Sequence, residues 1–398
     1  MSINSAAAHA HMSRRWLFID SSTFFGGHEA MLLRLIQELA YDGRVQPLLL
    51  ARAGTALHAH EKGRPFLTPG ALPKRLSSKS GLGAIADMRG ILRTIDRVAP
   101  DLCIVAAGYL GYLETVLASR ISGRRTIVYV PLVDSYVTMG GWRHAQLKDW
   151  IVRRVLAKIP HAWITLSREQ AGQFSAWAHP KGAVHVLPNA ISTQLEGHAA
   201  LRKPDPHGPR GCGVLRVLVL GRLDSHQKGL DILLDFLESC PSGIEDIRVS
   251  IVGDGPYRKV IDARRAARPA LAERLRVSPW ADTLETLMAH DVLLLPSRFE
   301  GVPLVMLEAM ALGVPVVASD LSGTRAHLPE DCLFPAGDMR TAFGVLRRLR
   351  DPAERARIAA RNVERFERNS SGAAFRTAVS NLVNELDGGR ASVAAIVT

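Results

Sequence analysis

Apolar positions along the chain fall into two alternating patterns. Residues 15–20 (RWLFID), 46–51 (QPLLLA), 101–107 (DLCIVAA), 125–131 (RTIVYVP), 161–167 (HAWITLS) and 183–189 (AVHVLPN) are short, nearly unbroken apolar runs. Strands covered on both faces read this way, whereas a half-exposed strand alternates. Between the runs lie segments such as HEAMLLRLIQELA, where Met31, Leu32, Leu35, Ile36 and Leu39 recur at helical spacing. Strand, glycine turn and helix in repeated succession predict right-handed crossovers and a doubly wound parallel sheet.

Residues 197–213 (GHAALRKPDPHGPRGCG) interrupt the pattern, because Pro204, Pro206 and Pro209 with their glycines oppose any regular element. The pattern then restarts with runs at 214–221, 248–253, 274–280, 291–297 and 315–319. The expected organisation is two α/β Rossmann-like domains facing across a cleft: residues 1–196, a linker at 197–213, residues 214–370, and a final helix with tail at 371–398. Ligands are expected at the carboxyl ends of the strands and between the halves.

The length of 398 residues suits two cores, and 47% hydrophobic with 22% charged residues is ordinary for a globular chain. No apolar run is long enough to span a bilayer, and the opening MSINSAAAHAHMSRR lacks a signal peptide's apolar stretch, so a cytoplasmic location is expected. Cys103, Cys212, Cys240 and Cys332 are too widely spaced for a zinc or redox motif and read as reduced thiols. Charge adds more. The net +12 is uneven: residues 1–200 hold 23 Lys and Arg against 13 Asp and Glu, a net +10, and the remainder only +2. The first half therefore suits an anionic partner, whether a phosphorylated small molecule, a membrane surface or nucleic acid, unless it is merely a solvated basic face.

The densest chemical signal is 293–320 (LLLPSRFEGVPLVMLEAMALGVPVVASD). A buried strand ends at Ser297, a tight turn carries Gly301 and Pro303, and a helix begins near Leu304, so free backbone amides form an anion site. Glu300 lies in the turn and Glu308 about one helical turn deeper; each carboxylate can accept the paired hydroxyls of a sugar or ribose. The E-x7-E spacing from Glu300 to Glu308 resembles the signature of glycosyltransferase family 4, the retaining GT-B enzymes. It is joined by GRLDSHQKGLD (221–231), by GDGP (253–256) and by VLPNA (186–190), with Ala190 where glycine is usual. These motifs cover most of residues 186–320; the first half resembles the family in layout and in Gly26-Gly27.

The resemblance implies a retaining transferase moving a sugar from a nucleotide-diphosphate donor to a hydroxyl of a glycan or lipid-linked acceptor. Synthesis of bacterial surface polysaccharide or glycolipid is the expected setting. Arg222 and Lys228 would hold the donor diphosphate, Glu308 the ribose diol and Glu300 the transferred sugar. Backbone from Gly301 through Val302, Pro303 and Leu304 to Val305 would hold phosphate and sugar oxygens. Gly253 would lie at the donor edge, and Gly26 and Gly27 would approach the donor diphosphate or an acceptor phosphate. No D-x-D pair is present to hold a metal on the diphosphate, so the cations and backbone amides are expected to stabilise the leaving group, with no metal and no cofactor. Trp280 either stacks on the base or is a buried strand-end aromatic. Pro256 is expected at a helix's first position.

The family's mid-domain histidine is missing from VYVPLVDSY; Asp134 is the nearest polar side chain to that strand end, and His144 lies beyond a glycine pair. Either takes the role or is a surface residue. Residues 140–159 (GGWRHAQLKDWIVRRVLAKI) mix Trp142, Leu147, Trp150, Ile151 and Val155 with five Lys and Arg, as an interfacial membrane helix or a helix packed on the sheet would. The basic loop 62–81 could border the acceptor site. Two further readings stand beside the transferase: a sugar-nucleotide epimerase on the same fold, and a non-catalytic basic module binding membrane or nucleic acid. No RNA- or DNA-binding motif supports a nucleic-acid partner.

Overall fold

A computed structural model of the chain describes residues 14–22, 26–59, 71–72, 81–106, 113–141, 143–201, 213–239 and 242–387. Cys212, Cys240, Trp142, nearly all of loop 62–81 and most of the linker lie outside the described residues.

The first sheet has seven strands: β1 (Arg14–Asp20), β2 (Val45–Arg52), β3 (Ala71–Leu72), β4 (Leu102–Ala106), β5 (Arg125–Tyr129), β6 (Ala162–Thr165) and β7 (Ala183–Val186). They run in the order β3-β2-β1-β4-β5-β6-β7 and every pair is parallel. The second sheet comprises β8 (Leu215–Leu220), β9 (Ile247–Val252), β10 (Leu275–Ser278), β11 (Val292–Leu295), β12 (Val316–Ser319) and β13 (Leu333–Phe334). Its order is β10-β9-β8-β11-β12-β13, again all parallel. The order reverses beside β1 in one sheet and β8 in the other, and those switch points face each other across the cleft.

Unbroken apolar runs are explained by helices on both faces: Leu17, Phe18 and Ile19 of β1 are fully buried, as are Val217 and Leu218 of β8. The Gly27–Asp42 helix turns Leu32, Ile36 and Leu39 into the core and ends at Gly43 in the left-handed conformation. Cys103 and Cys332 are buried free thiols.

Residues 140–159 do not form one helix. The chain makes a short helix at Tyr136–Met139, turns, and restarts at Ala145–Arg154, where His144 caps it in the left-handed conformation with φ 57°. The buried residues of the second piece are Asp149 and Val152; Asp149 accepts hydrogen bonds from the Tyr136 and Val137 amides at 2.8 and 3.1 Å. The helix thus turns a carboxylate inward to hold its neighbour and leaves Leu147 and Trp150 more than half exposed. That overturns the packed-on-the-sheet alternative for those two side chains.

The last helix, Gly372–Asp387, crosses back to the first domain. Phe375, Val379, Leu382, Val383 and Leu386 are buried, Arg34 sits over the Phe375 ring, and Arg44 donates to Asn384 and Ser380.

Candidate donor site between the two sheets

Past β11 the chain runs through Pro296 and Ser297 into the turn that carries Glu300 and Gly301, and the Leu304–Ala311 helix begins with Pro303 at its N-cap. Glu300 is 7% exposed and well anchored. The Lys228 ammonium donates to its Oε1, the Ser297 hydroxyl donates to the same oxygen at 2.8 Å, and Gln227 Nε2 lies 3.5 Å from Oε2. Lys228 ends a short helix, Ser225–Lys228, in what the sequence presents as a loop. Arg222, by contrast, is 56% exposed at the side chain and pairs with Asp224 at 3.7 Å. The two cations therefore lie after β8, at the carboxyl edge of the second sheet, one bound to the turn and one reaching into solvent.

This arrangement is braced by Arg298, which the sequence motifs do not single out. Its guanidinium donates to both Asp231 oxygens, at 2.8 and 2.7 Å, and to the Ser225 and His226 carbonyls. Burial pushes the Asp231 carboxyl up, but Arg298 outweighs it and holds the group below the usual carboxylate range. A bidentate pair of this kind fixes the Lys228 helix against the Glu300 turn.

Glu308 stands one helical turn past Pro303. Burial with no compensating partner pushes its carboxyl up to about 7. It lines a cavity of about 540 Å³ together with Ser192, Gln194, Leu195 and His198 from the Thr193–Ala200 helix region and residues 280–284 after β10. The size suits a nucleoside. Trp280 borders this space at 54% exposure, with its amide donating to Asp254 Oδ2 at 3.0 Å, so it is not the buried strand-end aromatic that was one of its two readings. Gly253 follows β9 directly, and its amide donates to the Ser278 carbonyl at 3.1 Å. Pro256 precedes the helix Arg258–Ala267, whose N-cap is Tyr257, so it is not at the first helical position.

The first domain meets the donor turn through its backbone. A Cβ on Gly301 would lie 2.2 Å from the Pro131 carbonyl oxygen, so only glycine allows the two domains to approach here. Asn189, in the interdomain stretch, donates to the Val302 carbonyl at 2.8 Å, and the Met139 carbonyl lies 2.7 Å from His226 Nε2. Gly26 is the N-cap of the Gly27–Asp42 helix, and Gly27 faces Leu304, so two helix N-termini converge on the cleft. Asp134 is half-buried in the loop after β5 and accepts from Gln173 at 2.7 Å; burial raises its carboxyl, opposed by that hydrogen bond. His144 is exposed at its helix start.

The arrangement can hold a diphosphate on helix N-termini and cations, a ribose on Glu308 and a sugar on Glu300. Residues 215–351, the body of the second domain, match the family model described as glycosyl transferases group 1. A sulfoquinovosyl transferase of Arabidopsis thaliana is 29% identical over 278 residues, 65% of this chain and 51% of that protein. A phosphatidyl-myo-inositol mannosyltransferase of Mycobacterium leprae is 34% identical over 197 residues, 48% of each chain. The chain thus spans about half the length of these curated relatives. Among solved structures, HepE of Anabaena in complex with UDP-glucose superimposes with a TM-score of 0.71 at 19% identity, covering 93% of this chain and 99% of that one. Sucrose-phosphate synthase of Thermosynechococcus elongatus gives 0.74 at 17%, covering 95% and 100%. The two-domain GT-B architecture and the resemblance to glycosyl transferases group 1 therefore hold.

Proposed function

We propose that this protein is a retaining glycosyltransferase that moves a sugar from a nucleotide-diphosphate donor to a hydroxyl of a glycan or lipid-linked acceptor, in bacterial surface polysaccharide or glycolipid synthesis. The observation that carries this reading is the Glu300 carboxylate, buried and held by Lys228 and Ser297, one helical turn from a Glu308 that borders a nucleoside-sized cavity. In this reading Glu308 accepts the ribose hydroxyls, and Glu300 accepts from the transferred sugar. Lys228, Arg222 and the amides from Gly301 to Val305 carry the charge that develops on the departing diphosphate. Gly26 and Gly27 present the opposing helix start to the same anion. The chain's own cations and amides do the work for which other folds use a metal. Departure on the sugar face that the acceptor then attacks gives retention.

Lipid-linked acceptors are supported by the relatives' names and by the surface beside the cleft. Exposed Leu147 and Trp150 share the Ala145–Arg154 helix with exposed Arg153 and Arg154, and exposed Arg143 lies just before it. An apolar ridge set among basic side chains fits an anionic leaflet, each cation contributing on the order of 1 kcal/mol. Among the described residues no helix is long and apolar enough to cross a membrane. Calorimetry with UDP- and GDP-sugars tests the donor reading: saturable binding to either supports it, and binding to neither overturns it. Nuclear magnetic resonance of the anomeric centre in the product tests retention. Flotation with anionic and neutral vesicles at low and high salt tests the membrane surface, which predicts salt-sensitive binding to anionic vesicles alone.

A further inference from the structure

Apart from the donor turn, the first domain gathers three metal-ligating side chains at the carboxyl edge of its sheet. Asp20 ends β1, and His28 and Glu29 lie in the first turn of the Gly27–Asp42 helix. Their ligand atoms all lie within 4.8 Å of one another. Each carboxylate is fixed through one oxygen by a backbone amide. Ser22 N–H donates to Asp20 Oδ1 at 2.7 Å, and Gly26 N–H donates to Glu29 Oε2 at 2.7 Å. Asp20 is 1% exposed, and its other oxygen, Oδ2, has no hydrogen-bond donor; neither ring nitrogen of His28 has a hydrogen-bond partner, although both are buried. The His28 ring is held by stacking on Tyr129, with centroids 5.4 Å apart and planes 19° from parallel, and its Nε2 lies 3.9 Å from Asp20 Oδ2.

We propose that Asp20, His28 and Glu29 bind one divalent transition-metal cation of the Mn2+ to Zn2+ range. Bond lengths near 2.0 to 2.2 Å place the ligand atoms of one ion about 3 to 4.4 Å apart, which brackets the Asp20–His28 separation, and no pair in the cluster need close by more than about half an ångström. Two carboxylates and an imidazole are a mixed oxygen and nitrogen set of the kind these cations take. Amide bonds to the second oxygen of each carboxylate are the outer support that orients such ligands. A cation also balances two acidic groups drawn together away from solvent, which a neutral water cannot do. The site adjoins Gly27, whose Cβ position lies 3.4 Å from Leu304, so the ion would set the first domain's wall of the cleft. It rests on geometry alone and is separate from the diphosphate chemistry given to Arg222 and Lys228, so its test needs no sugar nucleotide.

The full chain, stripped with a chelator, titrated separately with Mn2+ and Zn2+ and desalted, is expected to retain about one equivalent by elemental analysis. His28→Gln and Asp20→Asn should weaken that affinity by 10-fold or more. The remaining histidines and cysteines are present in every variant and supply the background. Retention of no ion by the wild type, or equal affinity in the variants, overturns the proposal. Should a variant fail to fold, anomalous diffraction from zinc-soaked wild-type crystals decides: a peak between Asp20, His28 and Glu29 is expected, and a peak only elsewhere refutes the site.

Discussion

The two domains share one architecture and yet carry their chemistry in different ways. In the second domain, the proposed function lies in side chains at fixed spacing. Glu300 and Glu308 are eight residues apart because a turn and one helical turn must put one carboxylate at the cleft and the other beside the cavity, and Lys228 reaches Glu300 from the neighbouring loop. In the first domain, the wall of the cleft is set by where the backbone comes to rest: the Pro131 carbonyl against Gly301, the Met139 carbonyl at His226, Gly27 against Leu304. On the proposed reading a diphosphate demands particular charges, so its domain would be written in residue types. A wall that shapes a cleft can be built from many sequences, in keeping with a family model that matches residues 215–351 of the second half.

This contrast predicts a graded set of outcomes. The largest belongs to the cations: Lys228→Ala and Arg222→Ala should each lower turnover on the order of 100-fold or more, measured as sugar transfer from the donor. The two differ in stability, because removing Lys228 leaves a buried Glu300 short of a partner, whereas Arg222 is mostly solvated. Wild-type turnover in both variants would break the contrast. Next is Glu308→Ala, which should weaken nucleoside-diphosphate binding by roughly 1 to 3 kcal/mol in calorimetry.

Glu308 also has a signature in stability. Its carboxyl ionises near 7 in the folded chain against about 4.5 unfolded, so the folded state holds the extra proton between those values. Stability from this group is therefore highest below pH 4.5, falls as pH rises to 7, and stays at its low level above. Glu308→Gln should melt above the wild type at pH 8 and level with it near pH 4.5, and no pH dependence in the difference would show the group is ordinary. On the backbone side, Gly301→Ala should cost roughly 1 to 3 kcal/mol and lower the melting temperature, because its Cβ cannot share space with the Pro131 carbonyl. The smallest effect is expected from Trp150→Ser, within about 0.5 kcal/mol in stability because the ring is exposed, while vesicle binding falls.

Most of the strands were legible because each is a buried run with its own turn signals. β3 and β13 were not: each is two residues long, too short for any periodicity. Residues 140–159 looked like one helix because Leu147, Trp150 and Ile151 recur at helical spacing, yet nothing local says that Asp149 would turn inward to hold two amides. The Glu300 and Glu308 pair could be read because one strand, turn and helix carries both. Arg298 and His226 could not, since their partners are carbonyls and a carboxylate on other segments, and such bonds leave no spacing in the chain. Asn189 lies within VLPNA, where the motif marked the position and the structure supplies its partner, the Val302 carbonyl.

The returning helix Gly372–Asp387 has a consequence for the order in which the protein comes into being. Arg14 at the start of β1 pairs with Asp387, 373 positions later, and the Gly372 amide is held by Glu196. The half that leaves the ribosome first is therefore finished last. Until the final helix emerges, the groove that will receive Phe375 and Leu382 stays open to water beside the Gly27–Asp42 helix, and contacts of such long sequence separation are slow to close. A nascent chain released before residue 372 should bind a hydrophobic dye and a chaperone through its first domain, and lose both once the sixteen residues of the helix are added.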